Sequence, residues 1–86
     1  MKCYIISFES LESARTVFEY FQDKRKCFLF SKQETFFVAI YCSGFKCDTL
    51  SFLVKNDCKS LKSELIPDFG YFCDLEKVTI IRMANV

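Results

Sequence analysis

Thr35-Phe36-Phe37-Val38-Ala39-Ile40-Tyr41-Cys42 is the stretch on which the fold turns. Aromatic and β-branched residues fill it, and no proline or glycine interrupts it, so it reads as a strand. The polar connection Lys32-Gln33-Glu34 precedes it, and before that comes Cys27-Phe28-Leu29-Phe30-Ser31, a shorter run of the same character. The two runs are expected to form a hairpin. Neither alternates apolar with polar residues, as a strand with one wet face should. Successive residues point to opposite faces, so either register leaves large side chains on the side away from the helices.

Outward toward the N-terminus, residues 2–8 read as a first strand, rich in Tyr, Ile and Phe. Ser10 is a helix cap, followed by Glu12 in the first turn, where a negative charge suits the helix dipole. Leu11, Ala14, Val17, Phe18 and Phe21 recur at helical spacing and make one apolar stripe. The polar run 22–26 ends that helix.

Outward toward the C-terminus, residues 43–46 read as a turn around Gly44. Residues 48–55 permit two readings. Leu50, Phe52 and Val54 alternate with Thr49, Ser51 and Leu53, which favours a strand, whereas Asp48 could cap a short helix; the strand is preferred. Asn56 or Asp57 is then expected to cap a second helix carrying Cys58, Leu61 and Leu65 at helical spacing, with Pro67 at its end. Residues 68–74 read as an irregular aromatic loop, and 77–83 as the last strand. No repeat or linker divides the chain, so 1–86 is expected to be a single domain. The order strand-helix-strand-strand-(strand)-helix-strand predicts an α+β, ferredoxin-like two-layer sandwich, an antiparallel sheet with two helices on one face.

That architecture leaves the second sheet face to be covered by something. One candidate is the chain's own aromatic loop, 69–73. The preferred candidate is another protein surface, either a second copy or a different partner, because large exposed apolar patches mark interaction sites. The residues expected to make that contact are Phe28, Phe30, Phe37 and Tyr41, with Phe45, Phe69 and Tyr71 from the turn and loop.

Composition narrows the chemistry. With 51% hydrophobic residues and 11 Phe, the chain is not a disordered segment. Its 12 Lys+Arg against 11 Asp+Glu lack the basic excess of a dedicated nucleic-acid binder. There is no histidine, which removes Ser-His and Cys-His nucleophile systems and imidazole metal sites. Two glycines, Gly44 and Gly70, cannot make a Gly-rich phosphate loop. Neither a signal-peptide core nor a membrane-spanning run is present, so a cytoplasmic protein whose six cysteines stay reduced is expected, rather than a secreted disulfide scaffold. Cys42-x₄-Cys47 has no second pair to complete a zinc site, and no cofactor is expected. Cys58, expected in the first turn of the second helix, is a candidate for a lowered pKa if it is exposed. Asp68 and Asp74 flank the aromatic loop without implying a reaction.

Tyr4 and Phe8 on the first strand, with Phe36, Phe37 and Tyr41 on the third, resemble the aromatic platform of RNA-recognition motifs. The resemblance implies single-stranded RNA binding through the sheet, with Lys24, Arg25 and Lys26 as candidate phosphate contacts. The third strand lacks the basic and glycine residues of that family's signature. The favoured expectation is therefore a small non-enzymatic interaction protein, a regulator or inhibitor, possessing the size and character of phage-encoded anti-defence proteins such as anti-CRISPR proteins. RNA binding is the alternative.

Overall fold

The structure, a computed structural model, describes residues 2–85. Eight elements follow one another: β1 (Lys2–Phe8), α1 (Leu11–Phe21), β2 (Cys27–Lys32), β3 (Thr35–Cys42), α2 (Cys47–Lys55), β4 (Cys58–Glu64), α3 (Phe69–Glu76) and β5 (Thr79–Ala84). The fold is a small α+β structure with one five-stranded sheet, ordered β4-β1-β3-β2-β5 and antiparallel throughout.

The hairpin at the centre forms as its sequence requires. Phe30 lies opposite Phe37 and Leu29 opposite Val38. Gln33 and Glu34 join the strands with φ of 50° and 64°. Two consecutive left-handed residues are what a two-residue turn needs to match the twist of its strands. β3 then pairs with β1 along its whole length, from Lys2 opposite Cys42 to Phe8 opposite Phe36. Ser10 caps α1 by accepting a hydrogen bond from the Ser13 amide, and Ala14, Val17, Phe18 and Phe21 are buried on the sheet.

Alternation along the three central strands sorts their side chains into two cores. Ile6, Phe8, Cys27, Leu29, Val38, Ile40 and Cys42 pack with the α1 stripe and with Leu53 of α2. Cys3, Ile5, Phe28, Phe30 and Ala39 face the other way and pack with Ile66, Phe69 and Cys73. The sheet is thus covered on both faces, and the continuous apolar runs of β2 and β3 follow from that.

Three expectations from the sequence are overturned beyond residue 46. Residues 48–55 are not a strand but belong to helix α2. Its alternation is incidental: Leu53 is the buried anchor, while Val54 is 70% exposed. Asp48 in the first turn and Lys55 in the last match the helix dipole and carry the better signal. The segment after Asn56 is not a helix but the edge strand β4. Cys58, Leu61 and Leu65 have helical spacing, yet the strand buries none of its residues fully, so that spacing reports no core-facing stripe. β1 would otherwise present an unpaired edge there, and β4 fills it, with Cys3 opposite Glu64 and Ser7 Oγ 2.6 Å from Ser60 Oγ. Finally, residues 68–74 are not irregular. They lie in α3 and its cap, and this third helix lies on the face opposite the α1 cluster.

Candidate docking surface beside α3

α3 is built to lie flat on aromatic rings. Asp68 caps it, its Oδ1 accepting from the Gly70 amide at 2.9 Å and the Tyr71 amide at 3.3 Å. Phe69 and Cys73, four apart, point down into the sheet, and Phe72 packs beside them. Phe69 stacks on Phe28 with centroids 4.1 Å apart and rings 9° from parallel, and meets Phe30 edge-on at 5.4 Å. Phe30 in turn stacks on Phe37 at 5.0 Å. Tyr41 Oη donates to the Ile66 carbonyl at 2.7 Å, which ties down the connection leading into α3. At the far end the Lys32 ammonium pairs with the Glu76 carboxylate at 3.0 Å.

Beneath this layer the chemistry is quiet. Burial pushes the Cys3 thiol up to about 11, against a weaker opposing effect of its hydrogen bond with Tyr41. Burial, helped by Cys3, also raises the Tyr41 phenol, and burial raises Cys73. These groups are held neutral, the reverse of what activates a nucleophile. Among the described residues no group of three or more His, Cys, Asp or Glu side chains is placed to hold a metal ion.

The upper side of the layer is different. Tyr71 and Leu75, on the outward side of α3, are 68% and 64% exposed, and Leu65 in the β4–α3 connection is 86% exposed. They border two adjoining hollows. One, of about 390 Å³, runs over Ile5, Phe30, Phe37, Phe72 and Val78 with Lys32, Glu64 and Glu76 at its rim. The other, of about 260 Å³, lies between Ile66, Pro67, Asp68, Tyr71 and Phe72. Leu65, Ile66, Phe72 and Leu75 line both. The result is an open apolar groove with Glu64 and Asp68 on its margins, neither of them in an ion pair among the described residues.

The expected contact residues are scattered by this geometry. Phe28, Phe30, Phe37 and Tyr41 do share one face, but that face is not open: α3 covers it, leaving Phe28 at 4% and Phe30 at 2% exposure. Phe69 is itself the cover, at 3%. Phe37 and Tyr41 are half-buried, and of the seven only Tyr71 is exposed. Phe45 sits on the opposite face, against Tyr4 at 4.8 Å and Phe21 at 5.9 Å. The RNA platform does not assemble either. Tyr4, Phe8 and Phe36 lie in the α1 core and Phe37 and Tyr41 in the α3 core.

Lys24, Arg25 and Lys26 have three different surroundings. Lys24 lies over the Tyr20 ring at 4.1 Å, Lys26 over Tyr41 at 5.2 Å, and Arg25 borders a separate polar hollow with Lys46 and Ser43. Cys58 opens β4, half-buried, not a helix; the exposed cysteine at a helix start is Cys47. Sequence reasoning missed Leu65 and Leu75. The spacing of Leu65 suggests a helical stripe and Leu75 falls outside the aromatic segment, so of the outward side of α3 only Tyr71 is legible in the sequence. The available signal was Asp68 two and three residues before Gly70 and Tyr71, a helix cap read as a loop residue.

Compared with known proteins, the chain matches no family model, no curated protein and no solved structure.

Proposed function

We propose that this chain is a non-enzymatic protein-interaction module, a regulator or inhibitor in kind, that docks a partner in the groove beside α3. The observation that carries the reading is the exposed trio Leu65, Tyr71 and Leu75 around largely apolar hollows. Apolar side chains left this far in water beside a concave surface gain from being covered. Glu64 and Asp68 on the margin favour a partner segment with an apolar anchor flanked by basic residues. Part of the fold supports a ferredoxin-like reading: β1-α1-β2-β3-α2-β4 runs with sheet order β4-β1-β3-β2, and α3 with β5 is an addition to it. Within the addition, α3 and the connections on either side of it supply most of the groove, and so give the common frame its particular use.

Selection from a displayed random-peptide library tests the reading. Peptides enriched on the protein should carry one or two large apolar residues beside Lys or Arg, and should lose binding to the double variant Leu65→Asp/Leu75→Asp. Both positions are exposed, so the variant should keep its fold by circular dichroism. Enrichment of nothing, or of peptides that bind the variant equally, sinks the proposal.

A further inference from the structure

The two edges of the sheet are guarded unequally, and we infer from this that two copies of the chain pair antiparallel through β5. A strand at a sheet edge presents a row of backbone donors and acceptors, and only another extended strand satisfies that row. β4, at one edge, reads Cys58-Lys59-Ser60-Leu61-Lys62-Ser63-Glu64. Lysine is the usual guard: Lys59 is drawn onto Glu9, but Lys62 has no ion pair among the described residues, so pairing two copies would bring two free ammonium groups into one ribbon. β5, at the other edge, reads Thr79-Ile80-Ile81-Arg82-Met83-Ala84 and has no lysine, acid or proline.

Its one charge is already occupied. The Arg82 guanidinium turns back onto α1, 3.2 Å from Glu19 Oε2 and 3.2 Å from Gln22 Oε1, and lies over the Phe18 ring. What β5 offers outward is therefore uncharged, with Ile80, Ile81 and Met83 exposed at 39%, 41% and 57%. Each edge strand has one register irregularity, so bulging does not separate them. Charge does. An identical strand turned about a two-fold axis meets β5 with no like charge free to repel it, and apolar residues meet apolar residues. A second copy fits this edge, and a ten-stranded sheet results. No β5 residue lines the α3 groove, so this assembly and the groove reading stand or fall separately.

Mass by light scattering under reducing conditions, across a concentration series, should rise to twice that of one chain. Ile81→Lys and Met83→Lys should each raise the dissociation constant by at least about tenfold, because each lysine is introduced twice in one two-fold contact. Leu65→Asp/Leu75→Asp should leave the dimer unchanged. Hydrogen exchange on the unaltered protein gives the same answer without a variant: amides of β5 should gain protection as concentration rises and those of β4 should not. A single-chain mass throughout, a dimer indifferent to both lysines, or protection appearing at β4 would overturn the inference.

Discussion

The two faces of the sheet hold their helices by different means. On one, the eleven-residue α1 sinks four residues into a closed aliphatic and aromatic core. Nearly all of the largest fully buried side chains, among them Phe8, Phe18, Leu29, Val38 and Ile40, lie there; Phe30 and Cys3 are the exceptions. On the other, the eight-residue α3 sinks Phe69 and Cys73 and rests on a raft of stacked rings, with hollows along its side. The first face is finished by its own chain except for a polar hollow beside Phe21 and Phe45. The second keeps surface in reserve, and on the function proposed above stability and docking fall on opposite sides of one sheet.

Truncating the anchor on each side should give the largest and most telling effects. Phe18→Ala opens a hole in a closed core and should cost about 3–5 kcal/mol of global stability in denaturant unfolding. Phe69→Ala should cost nearer about 3 kcal/mol, since a site beside open hollows relaxes more readily. Its signature should also be local: hydrogen-exchange protection lost over residues 66–78, while α1 and the β2–β3 hairpin keep theirs. If Phe69→Ala lowers protection evenly across the molecule, the two faces form one cooperative unit and the contrast drawn between them fails.

The same contrast explains what could be read from the chain. Up to Lys46 each local signal agrees with the tertiary structure. The α1 stripe is buried at Ala14, Val17, Phe18 and Phe21, where helical spacing places it, with Leu11 at the helix start left exposed, and Gln33-Glu34 is as short as a hairpin turn must be. After Lys46 local and tertiary signals part. α2 buries only Leu53 fully and β4 buries no residue fully, so neither leaves a reliable periodic imprint, and the sequence pattern suggests the opposite identity for each. A short helix with one anchor and an edge strand with two wet sides are set by what they must pair with, not by their own pattern. The excess of aromatic residues on β2 and β3 was legible as a demand for cover. Residues 69–73 are one of the two covers the sequence offers, and they are the one found; that they form a helix, and that the free apolar surface is the side of that helix, could not be read from strands alone.

Thiol titration compares the faces a second way. Burial raises Cys27, in the α1 core, and Cys3, in the α3 core, alike from an ordinary 9.0 to about 11. A thiol whose folded pKa exceeds its unfolded value stabilises the fold fully below the unfolded pKa. That contribution is lost as pH climbs through the folded pKa. Stability should therefore decline between pH of about 9 and about 11, by up to about 2–3 kcal/mol per thiol. Alkylation should separate the two at fixed pH. Exposed Cys47 should react first, Cys3 next through openings of α3, and Cys27 only on global unfolding. Equal protection of Cys3 and Cys27 would mean that α3 seals its face as firmly as α1 does.

The helix caps provide the smallest and cleanest comparison. Ser10 Oγ accepts from the Ser13 amide at 3.0 Å, and Asp68 Oδ1 from the Gly70 and Tyr71 amides. Both are exposed, both satisfy backbone donors that nothing else meets, and alanine at either should cost about 1 kcal/mol. The cost should appear in different places. α1 cannot leave without emptying its core, so Ser10→Ala should lower the global unfolding midpoint. α3 can lift while the rest holds, so Asp68→Ala should barely move that midpoint and should instead raise the opening rate of residues 66–78. Opening of α3 uncovers Phe28 and Phe30, so the same variant should bind a hydrophobic dye more strongly than wild type. An Asp68→Ala protein with a lowered midpoint and unchanged dye binding would place α3 inside the global folding unit and leave the groove as a fixed surface.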